Sequence, residues 1–224
     1  MLTNSRSVML MMSFAAGTFA AGASSKPRHL MLAQPSQGIP NNPLPLIIYP
    51  EVVPEEVEQG EQGESGQQWE PGEQAEQNDE GIEEHRRDLA QWFRTEFGRH
   101  GWPVSWHGPI YPYTHYHPNT HELLGITSGW AEILFGGESG RMVTVYAGDA
   151  ILIPAGVGHQ QISASEDFMA VGAYPPGIKP KTLGDEQALL EQSMLEIKRV
   201  AIPATDPITG GEGALTEVWH QQAH

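Results

Sequence analysis

From residue 83 onward the chain moves between two hydrophobic periods. Leu89, Trp92, Phe93 and Phe97 recur at steps of three and four, which sets them on one stripe of a helix over residues 83–98. Gly98 and Gly101-Trp-Pro103 end that helix, because proline cannot continue the backbone ladder and glycine readily leaves it. Between residues 105 and 174 the period drops to two. Strands are expected at 105–107, 112–117, 122–128, 131–135, 142–146, 150–153, 160–163 and 168–174, with Gly136-Gly-Glu-Ser-Gly140 as a hairpin turn. Eight short strands with Gly/Pro turns and no helix among them predict an all-β core, a double-sheet jelly roll closed by Pro175-Pro-Gly177. A second amphipathic helix is expected over 185–198, carried by Leu189, Leu190, Met194 and Ile197. Residues 202–219 read as a loop and a last strand ending at Trp219. The expected architecture is thus a barrel with one helix before it and one after it.

The pattern is weaker upstream. Residues 24–50 form an arm rich in Pro and Asn, in which Leu46-Ile-Ile-Tyr49 reads as an edge strand. Residues 51–82 hold almost no apolar side chains. They cannot bury enough surface to offset ordering, so disorder is expected there, as a surface-loop expansion. At the start, Arg6 precedes an apolar, small-residue run that ends in Ala21-Gly-Ala23, so residues 1–23 read as a secretory signal peptide or a non-native leader. The first reading places the protein in the periplasm or outside the cell, and the second leaves it in the cytoplasm. The run is too short and Gly-interrupted for a stable membrane span. The organisation that results is leader 1–23, arm 24–50, acidic insert 51–82, helix 83–98, barrel 99–176, and a helix-and-strand extension 177–224.

Charge changes this picture little. The formal charge is −16, but residues 51–84 carry thirteen acidic and no basic side chains, which leaves the rest near −3. No basic stripe exists for nucleic acid. Cysteine is absent, which excludes disulfides, thiolate catalysis and iron–sulfur clusters. Edge strands with covering helices favour pairing of subunits, so a homodimer is expected.

The chemistry concentrates in two segments, His115-Tyr-His117-Pro-Asn-Thr-His121-Glu122 and Gly148-Asp-Ala-Ile-Leu-Ile-Pro154-Ala-Gly156-Val-Gly-His159. Side chains alternate along a strand, so His115 and His117 point the same way, and Tyr113 shares their face. Pro118-Asn-Thr is a tight turn that leads to His121 and Glu122. These two are adjacent, face opposite sides, and cannot both reach one ion; their spacing leaves open which one does. The Pro154-Ala-Gly-Val-Gly turn delivers His159, with Gln161 on the same face. Imidazoles with a carboxylate and no thiolate suit Mn, Fe, Co, Ni, Cu or Zn, and argue against a closed structural zinc site. The other six histidines have no such spacing. No Ser-His-Asp set or phosphate-cradling loop stands out, so chemistry must run through the metal.

The two segments resemble the signature motifs of the cupin superfamily. His115, His117, Glu122 and Gly129 fit the first motif, and Gly148, Pro154, Gly156 and His159 fit the second. Pro109 stands where the family usually has Gly, and Ser163 where it often has Asn; neither is a ligand position. The resemblance implies a double-stranded β-helix with His115, His117, Glu122 and His159 as metal ligands, and so selects Glu122 over His121. It implies Mn or Fe first, with Ni, Co, Zn or Cu as alternatives. Asn41-Asn-Pro-Leu-Pro-Leu, Gly172-Ala-Tyr-Pro-Pro-Gly177 and Pro203-Ala-Thr-Asp-Pro207 add a narrower likeness to the YjlB-type single-domain cupins.

Two functions follow as expectations. The first is a metal-dependent enzyme that oxidises, decarboxylates or isomerises a small oxygenated metabolite bound at an open metal position. The alternative is a non-enzymatic metal- or metabolite-binding cupin, acting as a sensor or a storage or partner protein. In either case Tyr113 and Gln161 are the expected pocket or outer-shell residues and the ligand is a small molecule.

Overall fold

The computed structural model describes residues 26–54, 57 and 74–222. The leader expected at 1–23 and most of the acidic insert lie outside the described residues. Among the described residues nine strands follow in chain order: β1 (Arg28–Leu32), β2 (Asn42–Tyr49), β3 (Val104–Gly108), β4 (Glu122–Ser128), β5 (Trp130–Phe135), β6 (Arg141–Tyr146), β7 (Ala150–Ile153), β8 (His159–Ala164) and β9 (Met169–Ala173). Helix α1 (Gln74–Arg99) lies between β2 and β3. A 3-10 turn (Gln187–Leu189), α2 (Leu190–Ile197) and α3 (Ala214–Gln222) come after β9. Every strand pairing is antiparallel. One sheet has the order β1-β2-β7-β4-β9-β3 and the other β6-β5-β8.

The larger sheet is buried on both faces, and strand parity divides its side chains between two cores. Leu46 and Ile48 of β2, Leu124 and Ile126 of β4, and Ile151 and Ile153 of β7 meet Ile133, Phe135 and Val145 of the smaller sheet. Their neighbours Ile47, Tyr49, Leu123, Leu152 and Val171 pack outward against Leu89, Phe93 and Phe97 of α1 and Leu215 and Trp219 of α3. Burial on both sides explains why β4 and β7 read as nearly continuous apolar runs rather than alternating ones. The outward layer also accounts for Gly125. A Cβ there would lie 2.6 Å from the Phe93 ring, so only glycine lets the helix settle on β4.

Several expectations are corrected. The arm supplies two strands, and Leu46–Tyr49 is interior, with β1 on one side and β7 on the other. Prolines 43 and 45 are tolerated because β2 pairs with β7 only through Ile47, Ile48 and Tyr49, beyond the positions where their missing N–H would be needed. Helix α1 begins at Gln74, nine residues before the expected start; five of its first seven residues are Gln, Glu or Ala, which favour helix whatever their polarity. No strand forms at 112–117. His115 bridges His159 on one side and Tyr116 bridges Leu183 on the other. The expected C-terminal strand is helix α3, so two helices rather than one follow the sheets. Leu215 and Trp219, four residues apart, form its buried stripe. The Asp206 carboxylate holds the helix start by accepting the Leu215 N–H, and Tyr49 Oη donates to the same oxygen. Among the described residues no helix is long and apolar enough to cross a membrane.

Candidate metal centre

Three backbone segments converge at one end of the inner core. Glu122 opens β4 on the parity of Leu124 and Ile126, so its side chain enters the sandwich. His159 opens β8, and its backbone exchanges both hydrogen bonds with His115, at 2.9 and 3.1 Å. The turn that delivers His159 is held from the arm. Asn42 Nδ2 donates to the Ala155 carbonyl at 2.8 Å, and the Gly158 N–H donates to Asn41 Oδ1 at 3.4 Å. Gly156 takes φ 84° in this turn, and a Cβ there would lie 2.2 Å from Ile197 Cδ1.

His115, His117 and His159 are buried, and one ring nitrogen of each lies within 4.8 Å of the others. Each ring spends its Nδ1–H on a backbone carbonyl: His115 on Tyr113 at 3.1 Å, His117 on Lys181 at 2.7 Å and His159 on Val157 at 3.2 Å. A neutral imidazole that donates from Nδ1 presents a lone pair at Nε2, the tautomer a metal requires. Glu122 Oε2 is buried 3.1 Å from His159 Nε2 and 3.3 Å from His117 Nε2, yet it makes no hydrogen bond. Two ligands set at right angles about 2.1 Å from one ion are about 3 Å apart. An orphaned carboxylate oxygen at that spacing from two imidazole nitrogens fits a shared cation.

The electrostatics couple the carboxylate to the imidazoles. Burial pushes His115 down to about 3, with the neighbouring His159 adding to the fall. Burial alone would raise the Glu122 carboxyl, but the His117 and His159 imidazoles outweigh it and hold it well below the usual carboxylate range. For His117 burial works downward, and the Glu122 charge overcomes it to leave the ring raised.

Two further side chains, not singled out from the sequence, fix the carboxylate. Tyr174 Oη donates to Glu122 Oε1 at 2.5 Å, and Trp106 Nε1 donates to Tyr174 Oη at 3.1 Å. Gly172 makes room for this chain, since a Cβ there would lie 2.0 Å from Trp106 Nε1. The available signal was parity on β9: Ala170, Gly172 and Tyr174 share the inner face. Together Trp106, Tyr174, Glu122 and the three histidines line a cavity of about 380 Å³.

The other expected residues are placed as follows. Tyr113 is half-exposed at the rim, its ring stacked on Tyr111 with centroids 4.9 Å apart; it serves His115 through its carbonyl, and Tyr111 holds the wall position expected for it. Gln161 does not line the cavity. Its N–H donates to the Tyr111 carbonyl at 3.0 Å. His121 turns away from the site: its Nδ1 accepts the Ala155 N–H at 2.9 Å, its ring lies against Trp219, and burial pushes it down to about 4.

The family model "Cupin" matches residues 113–177. The uncharacterized protein YjlB of Bacillus subtilis (strain 168) is 47% identical over 121 residues, which cover 54% of this chain and 73% of that protein. The chain belongs to the cupin family, among the YjlB-type members. Among solved structures it is similar to WlaRA (TDP-fucose-3,4-ketoisomerase) from Campylobacter jejuni, at 15% identity and TM-score 0.33 over 41% of this chain and 75% of that one. It is also similar to acireductone dioxygenase from Bacillus anthracis, solved with a cadmium ion in its active centre, at 17% identity and TM-score 0.30 over 42% of this chain and 65% of that one. The matched region takes in only 21% of a procruciferin chain from Brassica napus, at 17% identity and TM-score 0.30 over 34% of this chain.

Proposed function

We propose that this chain is a metal-dependent cupin enzyme acting on a small oxygenated metabolite. His115, His117, Glu122 and His159 hold one divalent transition metal, Mn or Fe in the first instance and Ni, Co, Zn or Cu as alternatives. The observation that carries this reading is the Glu122 carboxylate, with one oxygen fixed by Tyr174 and the other buried, unbonded and facing the imidazoles. When bound, the ion would supply Lewis-acid polarisation or redox chemistry at the mouth of the cavity. The protein's own share is positional. The three carbonyls lock the imidazole tautomers, and Tyr174 and Trp106 orient the carboxylate.

One observation favours a second reading. Beyond the four ligands, the titratable side chains on the wall are His107, Tyr111 and Tyr174; the Tyr174 hydroxyl is committed to its hydrogen bond with Glu122 and His107 bonds Thr127. So few free acids and bases suit a metal- or metabolite-binding protein without turnover. Elemental analysis separates the readings when paired with oxygen uptake and product detection over a carboxylate panel. Turnover that vanishes in Glu122→Gln supports the enzyme, and stoichiometric metal with ligand-induced stabilisation but no turnover supports the binder. Protein that takes up no divalent metal refutes both.

A further inference from the structure

The cavity wall carries information about the ligand's charge that the four metal-site side chains do not. Its volume of about 380 Å³ is at the small end of the roughly 300–1,000 Å³ typical of small-molecule sites. Apart from the histidines and Glu122, the wall is mostly aromatic and aliphatic, made by Trp106, Ile110, Tyr111, Leu124 and Tyr174. No Lys or Arg is among the described residues that line it. Two lysines that alternate with wall residues along one segment are turned elsewhere. Pro180 and Thr182 contribute to the wall, while Lys179 is exposed and Lys181 binds Glu196 at 2.5 Å. The polar tips of Trp106 and Tyr174 are already spent on each other and on Glu122.

We infer that the ligand of this cavity is a small monoanion with an apolar or aromatic body, and not a phosphate ester or a dicarboxylate too long to bring both carboxylates to the ion. This rests on the metal-centre reading. A dication balanced by the Glu122 carboxylate leaves one net positive charge, enough for one anionic group. A second anionic group held away from the ion would sit against a wall to which the described residues bring no Lys or Arg, and an unpaired charge removed from water is strongly disfavoured. The rest of the ligand meets ring faces, which favour an apolar or planar body.

The test uses full-length protein loaded with Mn(II), its metal content measured on the same sample, and calorimetric titration with benzoate, phenylacetate, formate, glutarate, adipate and glucose 6-phosphate. Benzoate and phenylacetate are expected to bind at least about tenfold more tightly than the dicarboxylates and the phosphate ester, a difference of about 1.4 kcal/mol. Two variants at the cavity's open side probe the wall without touching a ligand position. Tyr111→Ala should weaken benzoate several-fold and leave formate affinity and metal content unchanged. Thr182→Lys should bring adipate closer to benzoate by supplying the missing cation. Metal-loaded protein that prefers glutarate, adipate or the phosphate ester, or that binds none of the panel, overturns the inference while the metal centre stands. Protein that loads no metal removes the metal centre, and the inference falls with it.

Discussion

His121 and Glu122 adjoin in sequence and serve opposite layers of the molecule. Glu122 enters the inner core on the face of Leu124 and Ile126, and His121 points outward onto Trp219, with ring centroids 4.7 Å apart. Strand parity allows only one of them to reach the three histidines. Glu122→Gln is therefore expected to lower metal affinity by at least about tenfold, because it removes the anionic oxygen between His117 and His159. His121→Gln should keep full metal content. Metal titration of the two variants side by side checks this, and equal losses would contradict it.

His121 also predicts a pH dependence. Its pKa is about 4 in the folded protein against an ordinary 6.5. Below pH 6.5 the unfolded chain takes up a proton that the buried ring refuses, so stability falls as pH drops from 6.5 toward 4 and then levels off for this group. The total is about 3 kcal/mol. His115, held near 3, adds a slope of the same sign in metal-free protein. Urea midpoints of metal-free wild type and His121→Gln across this window should show a shallower, not flat, dependence in the variant.

Tyr174→Phe keeps the ring and removes the proton donated to Glu122 Oε1. Removal of such an outer partner typically costs about 10- to 100-fold in metal affinity, and that range is expected here. Gly172→Ala should act through the same chain by pushing Trp106 from Tyr174, at a stability cost of about 1–3 kcal/mol. Metal titration and chemical denaturation of both variants separate the two effects: Tyr174→Phe should lose affinity out of proportion to stability.

Trp219 anchors the last helix. Its side chain is fully buried, packs in the outer core and donates from Nε1 to the Pro45 carbonyl at 2.8 Å. Trp219→Ala is expected to cost about 3–5 kcal/mol, read as a lower denaturation midpoint.

Legibility in the sequence varied with how many neighbours each element needs. Strands β4 and β7 fall where the apolar runs predicted, because burial on both faces gives a pattern with no competing reading. The Leu215-Thr-Glu-Val-Trp219 run reads as a strand because Val and Trp favour strands; it is helical, and the remote Asp206–Tyr49 pair holds the start of that helix. Strand β2 was half-hidden by its two prolines, whose harmlessness depends on where β7 stops pairing. Within the site, spacing and resemblance named the histidines and Glu122, while Trp106 and Tyr174 meet only through the packing of β3 beside β9. Tyr113 was expected on the wall from strand parity, and parity does not apply, since its segment is not a strand.

The central claim is that four named side chains hold one metal ion. The most direct measurement is the metal-to-protein ratio of purified protein dialysed with Mn(II), for wild type beside His117→Ala, with circular dichroism to confirm that both are folded. The account predicts about one ion per chain in the wild type and a ratio near zero in the variant. A folded wild type that retains no metal, or a folded His117→Ala that retains as much as the wild type, would contradict it.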